Sequence, residues 1–337
     1  MKKFSIASYS KHLLFMMGVL VCISSCKDDE PETIVIPDEP TSLQSTAFVK
    51  DLHAPVGGTV DDKGRLWITE AGTGSDDAAV SMITSDGKKT VYVTGLPSEL
   101  ANGSIEGIGH PLFKDGKLYF LQGTTSGHLY IADVANFSAG AAAVALSSIP
   151  KEDIGTYVLS QNLVVPANTN TYSMTWGHDG NLYIVDAGSN VIIQRKTSDK
   201  SLSVFAKIPD VATGIEAVPT GIVYDGEKYI VSSLSGFPFA EGNAKAFQIT
   251  KDGVVSDYKT GLTLLTSISL TAGNKPLFTQ MAIFGATGFA PKSGKVVNLE
   301  GTTLLDGLTM PTSIIRYDEK KYYLISYAEG TVTKLSY

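Results

Sequence analysis

Past residue 26 the chain has no cysteine: Cys22 and Cys26 are the only two. Disulfides, thiolate nucleophiles and cysteine-held metals are thereby excluded from everything downstream. Charge is also scarce, at 18% of residues, and it leans acidic, with a net charge of −7. Without the first 25 residues, which carry Lys2, Lys3 and Lys11, 24 basic side chains face 34 acidic ones, a balance of −10. No stripe of lysine and arginine with interleaved aromatics breaks that acidity, so a phosphate backbone is repelled and nucleic acid is excluded as a partner. Also missing are a Gly-x-Ser-x-Gly elbow, a His-Glu-x-x-His pair, a phosphate-cradling loop and a dinucleotide fingerprint. No residue therefore receives a catalytic role. Long apolar runs are lacking too, since the one at residues 12–23 is too short to span a bilayer as a mature helix.

What is present begins with that run. Lys2, Lys3 and Lys11 precede it and Ile23-Ser24-Ser25-Cys26 closes it. This is the layout of an export signal, and its end resembles a bacterial lipobox, where two small residues precede a cysteine that is acylated. Residues 1–25 are read as a lipoprotein signal peptide, Cys26 as the lipidated residue, and residues 26–46 as an acidic, proline-bearing tether. Lys27-Asp28-Asp29-Glu30 resembles the acidic tag of surface lipoproteins. The expected location is the outer membrane, facing outward, with membrane contact through the N-terminal lipid only.

From residue 47 to residue 337 one unit recurs. Its clearest copy, at residues 172–208, has an apolar-rich run ending in His178-Asp179-Gly180-Asn181 and a second run of Leu182, Tyr183, Ile184 and Val185. A polar turn and two further short runs follow it. An Asp-Gly in a tight reversal supplies the positive φ that a two-residue hairpin needs, so the unit is a meander of short strands. Aligning the turns gives six such units of about 45 residues. The second starts with a strand at 105–113 and is followed by an irregular insertion, 136–171, with one outer strand near 143–149. The last unit lacks its fourth strand, and residues 47–52 lack a partner. Pairing the two closes the ring and removes a free edge. The expected fold is all-β, a six-bladed β-propeller closed by an N-terminal outer strand.

The blade pattern is similar to NHL-type and gluconolactonase-like propellers. Four pieces resemble more closely the secreted ScyD/ScyE-type family: Trp67 to Gly74, Asn170-Thr171-Tyr172, Val185 to Asn190, and Ser235-Gly236-Phe237-Pro238-Phe239 with Gly242 and Ala244. They occur in the family's order and span residues 47–337. The resemblance implies the fold and export more than any chemistry, since the family has no agreed catalytic activity.

In such a ring the loops after the second strands share one face and the hairpin turns the other. Asp62, Asp115, Asp179 and Asp225 fall on the turn face and read as turn formers. The loop face collects Glu70, Gln122, Asp186, Ser232 and Ser326, one at the same place in each of five blades, a set suited to a cation, a sugar or another polar ligand. Asp186 and Asn190 equally suit a purely structural role, bonding loop backbone. Asp76, Asp77 and Glu106 approach the same face. Of the histidines beyond the signal, His53, His110, His128 and His178, only His110 is placed to act as an acid, base or ligand. Phe237 and Phe239 sit in a loop too long for a turn, either as exposed contact surface or as plugs of the channel mouth. The gluconolactonase-like pattern puts a divalent ion in the channel. Here Ala54-Pro55-Val56-Gly57 lacks its glutamate and Pro219-Thr220-Gly221 has threonine in place of its carboxylate. Beyond that one possible cation, no cofactor is evident. The reading is a surface-tethered module that binds a small molecule, a glycan or an envelope protein. The alternative is a metal-dependent hydrolase or lactonase.

Overall fold

A computed structural model describes residues 38–101, 103–124 and 126–337. The lipobox, Cys26 and most of the expected tether lie outside the described residues. Pro37–Tyr337 form one compact unit. Its backbone makes six four-stranded antiparallel sheets, the blades of a β-propeller.

Blade 1 is Pro55–Val60, Leu66–Glu70, Ala78–Ile83 and Lys89–Leu96. Blade 2 is Leu112–Lys114, Lys117–Gln122, His128–Asp133 and Lys151–Asp153. Blade 3 is Thr171–Trp176, Leu182–Asp186, Val191–Arg195 and Leu202–Lys207. Blade 4 is Pro219–Tyr224, Tyr229–Ser233, Ala244–Ile249 and Val255–Leu262. Blade 5 is Leu265–Leu270, Pro276–Gln280, Gly294–Asn298 and Thr303–Leu308. Blade 6 is Pro311–Asp318, Lys321–Ser326 and Thr331–Ser336, with Gln44–Val49 as its outer strand.

Burial explains the composition of each strand. Second strands are covered on both faces by neighbouring blades, so Leu66–Glu70, Leu182–Asp186, Tyr229–Ser233 and Pro276–Gln280 are buried at every position. Outer strands touch solvent and are mixed in polarity, as Val255–Leu262 is, buried only at Leu262. Each seam between blades holds its own apolar cluster. The seam between blades 6 and 1 joins Tyr323, Ile325 and Val332 to Leu66, Ile68 and Ile83.

Closure follows the expected pairing, Gln44↔Ser336 through Val49↔Val332, antiparallel. The strand starts at Gln44, three residues earlier than expected. Leu43 is only 4% exposed, among side chains of blades 5 and 6, and its N–H donates to Leu304 O at 2.8 Å.

Around the axis, hydroxyls on the inner strands tie blade 4 to 5, 5 to 6 and 6 to 1. Thr220 Oγ1 donates to Leu265 O (2.9 Å), Thr266 Oγ1 to Pro311 O (3.0 Å) and Thr312 Oγ1 to Pro55 O (3.1 Å). Thr220, which stands where the lactonase pattern has a carboxylate, is thus part of the ring's internal bonding.

Blade 2 departs from expectation. Ser104–Glu106 pairs with Glu99–Ala101 in a separate rim hairpin, leaving an inner strand of Leu112–Lys114 only. Its outer strand is Lys151–Asp153 and not 143–149. Residues 146–148 form a short 3-10 turn, and Val144 and Leu146 pack on the core between blades 1 and 2.

Candidate functional site

The first residues of the inner strands surround an axial cavity of about 320 Å³ on the loop face. Its wall is mostly apolar and aromatic, with Tyr172, Phe239, Phe289 and Tyr327 among the contributors, and its one carboxylate is Glu106. A second cavity, about 350 Å³, opens on the turn face and is lined by inner-strand serines together with His110 and Arg316. Between the two stand His110 and Tyr172, ring centroids 5.0 Å apart.

Glu106 reaches the cavity because the rim hairpin carries it there. Tyr327 pins that hairpin to blade 6, accepting the Ile105 N–H (2.7 Å) and donating to Ile105 O (3.2 Å). Burial, and then the like charge of cross-strand Glu99, push the Glu106 carboxyl above its ordinary value. Among the described residues its side chain has no hydrogen-bond or ion-pair partner. Burial also pushes the Tyr172 hydroxyl up, with Glu106 and Tyr327 adding to it, so that phenol stays protonated.

His110 is 9% exposed and its Nε2 has no partner among the described residues. Burial lowers its pKa to about 4, so it is neutral at pH 7. His110 crowds Gly57, where a Cβ would sit 2.7 Å from His110 Cγ. His110 is a packing element of the channel and does not line the loop-face cavity with Glu106.

The polar ring expected on the loop face is spent inside the blades, because the last residue of a second strand faces the chain entering the inner strand. Glu70 accepts from His53 N (3.0 Å), Ser81 Oγ (2.8 Å) and Lys89 Nζ (2.7 Å). Asp186 accepts from Thr169 Oγ1 (2.6 Å), Asn170 N and Ser189 N (2.9 Å). Gln122 bonds Thr124 O, Ser126 and His128. Asn190 Oδ1 takes the Val218 N–H at 2.8 Å. Asp76 accepts from Ser98 N (3.2 Å), and Asp77 from the backbone and hydroxyl of Thr73 (both 2.8 Å). All six of these carboxylates and amides hold loops and leave the cavity to Glu106. Gln280, the fifth blade's counterpart, does the same for Thr263 N (2.7 Å).

The two phenylalanines divide. Phe239 lines the cavity, packed edge-on to Phe284 at 5.2 Å and tilted against Phe289 at 5.9 Å. Phe237 is 74% exposed beside them. Sequence reasoning missed Phe284, Phe289 and Tyr327. The mirrored Phe284-Gly285 and Gly288-Phe289, paired in a hairpin, were the available signal for the first two.

A divalent ion finds too few donors here. Hard cations take six or more converging oxygens, carboxylates foremost, whereas the cavity offers one carboxylate, Glu106, beside the Asn170 amide and neutral hydroxyls such as those of Thr266 and Thr312, which are engaged in bonds between blades. Among the described residues no three His, Cys, Asp or Glu side chains cluster.

No family model matches the chain, and no curated protein matches its sequence. Solved structures do match in fold. A Bacteroides thetaiotaomicron protein of unknown function superposes with a TM-score of 0.59 at 12% identity, over 88% of this chain and 76% of that one. A PQQ-bound aldose sugar dehydrogenase from Streptomyces coelicolor gives 0.55 at 11%, over 88% and 99%. Virginiamycin B lyase from Staphylococcus aureus gives 0.50 at 17%, over 88% and 99%. At these identities the likeness establishes the six-bladed propeller and carries no activity with it.

Proposed function

We propose that this chain is a lipid-anchored, surface-displayed propeller of the cell envelope that binds a small ligand in the axial cavity of its loop face. The observation that supports binding is Glu106, a half-buried carboxylate without a partner among the described residues in a largely apolar wall. A partly desolvated, unpaired carboxylate is costly. A ligand bringing a positive charge or several hydroxyl donors offsets that cost, and Phe239 and Phe289 suit the flat face of a sugar ring or another apolar body. Anchoring rests on Ser24-Ser25-Cys26 at the end of the export run, and the ScyD/ScyE-type likeness agrees with export. A glycan or a partner protein bearing such a group would use the same cavity and the exposed Phe237. The metal-dependent hydrolase is the weaker reading, because its ion would find one carboxylate.

Glucose, glucosamine and glucuronate share a ring and differ in charge, so they test the cavity's preference by thermal shift. The expected order of stabilisation is glucosamine, glucose, glucuronate, and Glu106→Gln removes the advantage of the amine. Equal stabilisation by glucuronate, or an amine preference that survives Glu106→Gln, contradicts the assignment.

A further inference from the structure

A cavity of about 590 Å³, roomier than either axial one, lies off the axis. It opens at the turn-face end of the seam between blades 2 and 3. It exists because the outer strand of blade 2 is cut to Lys151–Asp153, so the end of the third strand has no fourth-strand neighbour. Residues 148–150 line one side, and Trp176, Arg195 and Lys200 of blade 3 the other.

Its charge runs against that of the molecule. Lys117, Lys151, Arg195 and Lys200 line it, against Asp133 and Glu152. Only Glu152 is paired with cations. Glu152 takes a bidentate pair from buried Arg195, Nε at 2.7 Å and Nη2 at 2.8 Å, and a third contact from Lys200 Nζ at 3.0 Å. Burial pushes the Glu152 carboxyl up, but these cations outweigh it and hold the group below its usual range, ionised and neutralised. Asp133 accepts the Ala135 N–H at 3.1 Å. Lys117 and Lys151 have no ion pair among the described residues. The floor is aromatic, Tyr119 edge-on to Trp176 at 5.2 Å with Lys114 Nζ 4.2 Å over the indole. The Tyr119 hydroxyl bonds no described residue and is kept protonated chiefly by burial.

We propose that this pocket is a second binding site, for a small dianion such as a phosphate ester or dicarboxylate, with Lys117 and Lys151 as its charge partners. Four cations line the pocket against two carboxylates, Asp133 lying across from Lys117, and the excess of two matches a double negative charge, with the Tyr119 hydroxyl as a further donor. An attached ring lies against Trp176 and Tyr119. The site is independent of the axial cavity, which favours the opposite charge on the opposite face.

Trp176 supplies the readout, because the only other tryptophan, Trp67, is fully buried in the seam between blades 1 and 2. The full protein is titrated with phenyl phosphate and with inorganic phosphate at constant ionic strength, and with phenol as the uncharged control. Saturable change in tryptophan fluorescence is expected for both phosphates, tighter for phenyl phosphate, and none for phenol. Lys117→Glu/Lys151→Glu, at two exposed positions, weakens phosphate binding at least tenfold, while Phe239→Ala in the axial cavity leaves it unchanged. No saturable response to either phosphate, or a response that survives the charge reversal with the variant's melting temperature intact, overturns the proposal.

Discussion

Glu106 shows how a binding residue can work against stability. Its carboxyl is raised above the ordinary 4.5, by burial first and by Glu99 second. The folded state therefore holds its proton more tightly than the unfolded state, and stability falls as pH rises through that interval. Glu106→Gln should match wild type below about pH 4 and melt at a higher temperature than wild type at pH 7. A lower melting temperature at pH 7 would mean that the carboxylate has a partner and is no free ligand group. Gly57 carries a different constraint, the close approach of the His110 ring. Gly57→Ala should cost about 1–3 kcal/mol in a urea melt, the range for overpacking a filled core. Neither effect is legible in sequence. Glu106 reads like Glu70 or Asp186 until the hairpin is placed, and His110 reads like an acid–base candidate until its ring is found wedged between Gly57 and Tyr172.

At the scale of elements, the hairpin turns were legible because Asp and Gly are there for local reasons. Asp179 accepts the Asn181 N–H at 3.1 Å and Asp225 those of Glu227 and Lys228, both at 2.8 Å. In blade 1 that role belongs to Asp61, which accepts from Lys63 N and Arg65 N, and not to its neighbour Asp62. The outer strand of blade 2 was illegible, since Lys151-Glu152-Asp153 is short and charged while the apolar stretch before it is spent covering the seam between blades 1 and 2. Closure was legible from a deficit, the missing fourth strand of the last blade. Its partner, Gln44–Val49, satisfies the edge of Thr331–Ser336 and packs Phe48 on Tyr323 at 5.4 Å. A chain beginning at Pro55 should therefore melt well below one beginning at Asp38, with two apolar seams uncovered at once. Coincident melting curves would refute closure by this strand.

For the whole molecule, two of the openings in the ring differ most in chemistry, an acidic, aromatic-walled one on the loop face and a basic one at a seam of the turn face. Fold was legible along most of residues 47–337 because six apolar seams impose the same pattern six times. The sites were legible only in part, Glu106 and Phe239 falling among the loop-face candidates, because each arises where a blade departs from that pattern: the rim hairpin, the Phe284–Phe289 hairpin and the cut outer strand of blade 2. If the chain is anchored as proposed, Cys26→Ser abolishes acylation and moves the protein from the detergent to the aqueous phase, whereas wild-type protein found in the aqueous phase with an unmodified Cys26 refutes the anchor. The central claim is that the axial cavity is the ligand site, and the most direct measurement is a crystal structure of the protein with its strongest stabiliser from a screen of small cationic and hydroxylated compounds. The account predicts density in the loop-face cavity, with a cationic or hydroxyl group of the ligand within hydrogen-bond distance of Glu106 and its ring or apolar face against Phe239. Density elsewhere, with the cavity holding only water, contradicts it.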